Sequence, residues 1–196
     1  LSAAEAAHRQ SIQANPANAS GYYNLGNTLA DMWQQTEALR YFRKALEISP
    51  GFENAQDNLL LNLLYDPNAT EASLFHESRT CEKKLSLPSA QADHNNGRQP
   101  DRPLHIGYVS PDFRTHSCAY FLEALFRHHD RAQFVIFAYA NVAQPDKTSS
   151  RFQEMADHWH DISGMSDEAA VQLIGANKID VLVDLAGRSK NHRLGI

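Results

Sequence analysis

The 196-residue sequence predicts an α + α/β chain, helical repeats followed by a partly built parallel sheet with helices on its faces. Two periodicities and one interruption carry that expectation. The first half repeats itself: Ala4, Ala38 and Ala72 lie 34 residues apart, as do Pro16 and Pro50, Asn24 and Asn58, and Leu25 and Leu59. From residue 104 onward, short apolar runs alternate with helix-length stretches. Between the two halves, residues 86–103 ("SLPSAQADHNNGRQPDRP") cluster Pro, Gly, Asn, Asp and Ser and read as a linker. The expected organisation is therefore repeats over 1–85, a linker over 86–103 and a sheet-bearing lobe over 104–196.

Residues 1–16 read as the second helix of a repeat. The best unit runs from Ala19 to Phe52 and carries Tyr22, Leu25, Gly26, Leu29, Ala38, Phe42, Ala45 and Pro50. Small residues at 26, 38 and 45 let two helices approach, Leu25, Leu29 and Phe42 fill the space between them, and Pro50 cannot continue the second helix. This spacing resembles the tetratricopeptide repeat, a 34-residue helix-turn-helix. Residues 53–85 begin in the same way and drift, with His76 and Arg79 at positions that favour an aromatic and Ala, so a capping or connecting helical unit is expected. Repeats bury their faces against neighbours, which predicts further repeats toward the amino terminus.

In the second half, Leu104 to Val109 reads as a strand and Cys118 to His129 as a helix. "FVIFAY" (134–139) is continuously apolar, the pattern of a parallel strand covered on both faces. Ser149 to Asp157 reads as a helix and Trp159 to Ile162 as a short strand. Asp167 to Ala176 reads as a helix signalled by Ser166, and Ile179 to Leu185 ("IDVLVDL") as a strand. Such alternation predicts a doubly wound, Rossmann-like sheet. The chain stops at Ile196, soon after its fourth strand, where such sheets usually continue, so a fragment is expected.

Composition narrows the function classes. A formal net charge of -5 and a pI near 6.0 give no basic field for nucleic acid or an anionic membrane. No apolar run approaches the length of a membrane span, and "LSAAEAAHRQ" lacks the pattern of a signal peptide. Cys81 and Cys118 show no zinc-like spacing and suit a reducing cytoplasm. There is no G-x-G-x-x-G, so a dinucleotide cofactor has no support.

Chemistry concentrates after the first strand. "GYVSPDFRTHSCAYF" (107–121) delivers Asp112, Arg114 and His116 within five residues to the start of a helix. Strand-to-helix loops at the carboxyl edge of a parallel sheet are where α/β enzymes place catalytic groups. Asp112 is equally suited to capping the following helix. A second histidine pair, His158 and His160, shares one strand face and is flanked by Asp157 and Asp161. A zinc site needs three or four converging ligands, and the spacing assures two, so no metal is expected.

The 34-residue repeat, "NLLLNLLYDPNAT", "GYVSPDFRTH", "ADHWHDISGMSDE", "IDVLVDLAG" and the arginine of "NHRLGI" together resemble the bacterial relatives of O-linked N-acetylglucosamine transferase, in the family that includes plant SPINDLY-type enzymes. The resemblance implies tetratricopeptide-like repeats followed by the amino-terminal lobe of a two-lobed GT-B glycosyltransferase. It implies transfer of N-acetylglucosamine, or fucose in the SPINDLY branch, from a nucleotide donor to Ser or Thr with inversion and without an essential metal. It further implies a uridine diphosphate donor held mostly by a second lobe absent from this chain, and protein or peptide acceptors recruited by the repeats. This chain alone is then expected to be inactive. His116 matches the histidine of the family's Ser-Asp-Phe-x-x-His motif, a proposed base or donor contact, and His158 matches a cleft-facing family histidine. Asp112, Gly187 and Arg193 become candidate substrate contacts, although Ala186-Gly187-Arg188 departs from the family's Asn-Gly-Tyr loop. Asn24 and Asn58 occupy one position of successive repeats and match an asparagine ladder that binds peptide backbone. The alternative is a non-catalytic repeat scaffold that binds protein partners.

Overall fold

A computed structural model describes residues 2–82, 96–99, 101–189 and 191–196. Most of the expected linker, residues 86–95 and 100, therefore lies outside the described residues. The chain divides into two compact units, Leu1–Ser86 and Leu87–Ile196.

The first unit is helical: α1 (Ser2–Ala14), α2 (Ala19–Asp31), α3 (Gln35–Ile48), α4 (Glu53–Leu63) and α5 (Glu71–Glu82). Asn18 caps α2, its side chain accepting from the Ser20 N–H at 3.1 Å. The pair α2 and α3 closes over Leu25, Leu29, Leu39 and Phe42, and α4 adds Ala55, Leu59 and Leu63 to the same core. Arg9 of α1 donates to Tyr41 of α3 at 2.8 Å, and Arg43 of α3 pairs with Glu77 of α5 at 2.7 Å. Between α2 and α3 the chain turns through Trp33 at φ 58°, with the Trp33 N–H donating to Ala30 O and the Gln34 N–H to Leu29 O. This is a Schellman ending with tryptophan where glycine is usual.

Gly26 sets the approach of α2 to α3. A Cβ there would stand 2.6 Å from the ring of the fully buried Phe42. Gly26→Ala should therefore destabilise by about 1–3 kcal/mol, although alanine is the better helix former by about 1 kcal/mol. Adding Phe42→Leu, which clears the ring, should recover part of that loss in chemical denaturation. A stabilised Gly26→Ala protein would show that the contact is slack.

The second unit alternates β1 (Leu104–Ser110), α6 (Ala119–His128), β2 (Phe134–Ala140), α7 (Lys147–Met155), β3 (His158–Asp161), α8 (Asp167–Ala176) and β4 (Val181–Asp184). All the strand pairs are parallel, in the order β3-β2-β1-β4. One layer, built on α6 and α7, buries Leu122, Phe126, Ile136, Ala138 and Phe152; the other, with α8, buries Val109, Phe137, Tyr139 and Ile162. The doubly wound reading of the sequence is what forms.

Six elements differ from expectation by one or more residues at their ends, and α7, β3 and β4 are the ones that matter here. The helix α7 begins at Lys147 because Asp146 accepts from the Thr148 and Ser149 N–H groups while the Ser149 hydroxyl accepts from the Asp146 N–H. The strand β3 begins at His158, in register with Phe137. The strand β4 spans four residues of its apolar run, and the Asp180 and Leu185 N–H groups extend its bonding to β1 at the His105 and Val109 carbonyls. Ahead of β1 and β4, Asp180 clamps Arg102 at 2.5 Å and accepts from the His105 N–H at 2.9 Å.

Candidate functional site

Strand order reverses between β1 and β4. The chain steps from β1 outward through β2 to β3, then returns to the other side of β1. In an open α/β sheet, the loops leaving the strands on either side of such a reversal splay apart and leave a crevice at the carboxyl edge. Here those loops are residues 111–118 after β1 and residues 185–189 and 191–193 after β4.

The first loop is nailed down by Phe113, fully buried against Phe126, Phe152 and Trp159 with ring centroids 5.5, 5.2 and 5.7 Å away. Around this anchor the polar groups are held in place. The Asp112 N–H donates to Ser110 Oγ at 3.0 Å, and the Thr115 N–H donates to Asp146 Oδ2 at 2.8 Å. Donation from Thr115, by its side chain first and its backbone next, holds the Asp146 carboxyl well below the usual carboxylate range. Asp146 thus caps α7 and fastens the loop at once. Sequence reading missed it; the local signal was the Asp-x-x-Ser spacing of a weak capping box.

His116 sits in this loop, 36% exposed, with Nδ1 3.7 Å from Asp112 Oδ2 and accepting from the Cys118 N–H at 3.3 Å. An Nδ1 that accepts leaves the proton of the neutral ring on Nε2. The imidazole is thereby set up to donate from Nε2. Asp112 also faces Arg114 at 3.4 Å, and it does not cap α6: the N-cap is Cys118, without a side-chain bond. The capping reading of Asp112 is corrected, because six residues of loop intervene.

Asp112, His116 and Cys118 offer an oxygen, a nitrogen and a sulfur all within 4.8 Å of one another, the one such trio among the described residues. Three donors could hold a zinc ion with a fourth, open position. The other metal reading, at His158 and His160, finds its carboxylates committed elsewhere: Asp157 pairs with Arg131, and Asp161 accepts from Ser163.

His158 is not brought to His116. It begins β3, three residues before the carboxyl edge marked by Asp161, about 10 Å along the strand. Its ring stacks on Phe137 at 4.4 Å, on the α8 side of the sheet. Its neighbour His160 stacks on Tyr139 at 5.3 Å, and its Nε2 lies 3.0 Å from the Asn177 amide. Burial, then the proximity of His158, pushes the His160 pKa down. The geometry separates the two candidate catalytic histidines because β3 is the far edge strand.

Gly187 stands in the second crevice loop at φ 55°, its N–H donating to Asp184 Oδ2 at 2.6 Å. Nothing lies within 4 Å of a Cβ built there, so backbone conformation is what requires glycine. Arg193 is turned inward, 11% exposed. It donates to Asp167 at 2.7 Å, to the Ile162 carbonyl at 3.0 Å and to the Met165 carbonyl at 3.1 Å. Its guanidinium braces the β3–α8 turn.

In the helical unit, Asn24 is exposed and its side chain is open to solvent. Asn58 is half-buried and its amide donates to Asn27 Oδ1 at 2.7 Å and Tyr23 OH at 3.3 Å. The two are therefore not equivalent rungs of a ladder: Asn24 keeps both amide functions, Asn58 only its carbonyl.

Residues 67–196 match the family model described as glycosyl transferase family 41, and residues 19–52 match a tetratricopeptide repeat. A rice (Oryza sativa subsp. japonica) protein described as "Probable UDP-N-acetylglucosamine--peptide N-acetylglucosaminyltransferase SPINDLY" is 36% identical over 159 residues, covering 79% of this chain and 17% of the rice protein. Its counterpart in Solanum lycopersicum is 34% identical over 155 residues, covering 76% and 17%. Among solved structures, a mutant of the Thermobaculum terrenum O-GlcNAc transferase superposes with a TM-score of 0.83 at 28% identity, covering 97% of this chain and 37% of that one. The chain thus spans about a sixth of the length of the curated relatives it matches.

Proposed function

Because this chain belongs to glycosyl transferase family 41, we propose that it contributes acceptor-recruiting repeats and an amino-terminal lobe to a protein O-glycosyltransferase. The reaction is transfer of N-acetylglucosamine, or a related sugar, from a uridine diphosphate donor to Ser or Thr of a protein, with inversion. The acceptor oxygen bonds to the anomeric carbon as the bond to the diphosphate breaks, and the hydroxyl proton leaves to a base. The observation that carries this reading is the reversal of strand order beside β1, with His116 held in the loop that leaves that strand. With Nδ1 accepting from Cys118, neutral His116 donates Nε2–H toward the donor diphosphate or sugar; acting as the base would require the ring to turn. Charge on the departing diphosphate is met by such donors and by the second lobe, with no metal in the step. Among the described residues no helix is long and apolar enough to cross a membrane, and the cysteine usage suits a cytoplasmic setting.

The test is made in a protein carrying this chain together with the second lobe, by mass spectrometry of peptide acceptors. His116→Ala should lower turnover by roughly a hundredfold, the scale of a positioned proton-handling group, with an unchanged melting temperature. His116→Gln, which keeps an N–H donor, should recover a good part of it. Full activity in a folded His116→Ala protein removes His116 from the site, and a glutamine variant as slow as the alanine one would make His116 the base.

A further inference from the structure

A groove of about 540 Å³ on the helical unit, between the carboxyl-terminal ends of α2 and α4, combines two aromatic rings with a single charged residue, a carboxylate. Its wall carries Trp33, 78% exposed on a backbone at φ 58°, a conformation that bulky side chains rarely adopt. Tyr65, 56% exposed, stands edge-on to it with ring centroids 6.3 Å apart at 90°, so the two rings form a corner. Asp31, the one charged residue of the lining, makes no hydrogen bond or ion pair among the described residues. Gln35 is 8% exposed, and its Oε1 is buried without a hydrogen-bond partner.

Two of the four carboxamides in the same lining have their donors engaged. Asn58 donates to Asn27 and Tyr23, and Asn62 donates to the Asn58 carbonyl at 2.8 Å. What remains for a guest is the Asp31 carboxylate, the unbonded Gln35 Oε1, the Asn27 and Gln35 amide N–H groups, the indole N–H, the Tyr65 hydroxyl and the aromatic faces. The carboxylate, the Gln35 oxygen and the aromatic faces favour a flat cation rich in N–H donors.

We propose that this groove receives the arginine side chain of an extended peptide, which gives the acceptors of this chain a preference for a basic residue. The inference rests on the reading that the repeats recruit acceptors. The guanidinium stacks on Trp33, donates to Asp31 and, after a turn of the carboxamide, to Gln35 Oε1, while its apolar stem lies along Leu61. Covering Trp33 would also remove its indole from water, which gives a reason for tryptophan at a glycine-favouring position.

The probe is an acetylated, amidated heptapeptide of Ala and Ser with one central Arg, titrated into the 196-residue chain while the Trp33 indole N–H is followed by NMR. A matched peptide with citrulline keeps the shape and loses the charge. The arginine peptide should shift the Trp33 signal saturably and bind at least tenfold more tightly than the citrulline peptide. Asp31→Asn should erase that difference. Trp33→Gly should abolish binding while raising the melting temperature, since glycine suits the backbone there. Equal affinity for both peptides, no saturable shift, or self-association of the chain through this face in sedimentation would overturn the proposal. Binding is read without donor or sugar transfer, so failure of the glycosyltransferase reading leaves this result standing, and His116→Ala should not alter it.

Discussion

Phe113→Ala should cost the sheet-bearing unit about 3–5 kcal/mol, the range for deleting a fully buried aromatic ring. The ring has no exposed surface and touches three other aromatic side chains that come from α6, α7 and β3. None of these partners can collapse into the vacancy without leaving its own contacts, which places the effect toward the upper end. A second consequence is local. The loop that presents Asp112 and His116 would keep only its polar ties to Ser110 and Asp146. Hydrogen exchange at the Asp112 and Thr115 amides should therefore accelerate by more than the global loss accounts for. Phe113→Leu, which retains much of the volume, should lose roughly half as much. Urea unfolding followed through Trp159 fluorescence reads the stability, and a cost under about 1 kcal/mol would mean that the ring is not the anchor.

Arg193→Ala should destabilise the same unit by about 1.5–3 kcal/mol, the scale of hydrogen bonds from a charged donor. The ion pair contributes little of this, because the Asp167 carboxylate is 45% exposed and screened by solvent. The Met165 carbonyl loses its side-chain donor, and the Ile162 carbonyl keeps only the Met165 N–H. Arg193→Lys should recover only part, since an ammonium cannot reach both carbonyls and Asp167 in one plane. The diagnostic is the denaturation midpoint of the ligand-free chain: a substrate contact would leave it in place, whereas a brace would not.

Features written in local patterns were legible. The Ser166 cap marked the start of α8, the Ala19–Phe52 spacing marked the repeat, and unbroken apolarity marked β2 as a covered parallel strand. What escaped depends on residues far apart in the chain. Asp146 earns its place through Thr115, 31 residues away, and Arg193 through Asp167 and Asn141, 26 and 52 residues away. The Asn58 amide donates to Asn27, a cross-helix contact that a 34-residue period does not encode. His158 and His160 were rightly seen on one face, but strand order put that face away from the loop of His116. Periodicity reports which side of an element a residue occupies; the order of strands decides which end of the sheet it can serve.

That order also governs how the chain can fold. Neighbouring helices make the helical unit's contacts within a few tens of residues, and such local closure is fast. The sheet is different: Leu104 pairs with Phe134, 30 residues on, but Ile106 pairs with Val181, 75 residues on. Closing the longer loop costs only about 0.8 kcal/mol more, yet during synthesis one flank of β1 must wait for β4 to leave the ribosome. Until then, Gly107, Tyr108 and Val109 carry unpaired backbone groups beside a nascent apolar layer. The helical repeats, complete well before that moment, can form while the sheet is still waiting for its last partner.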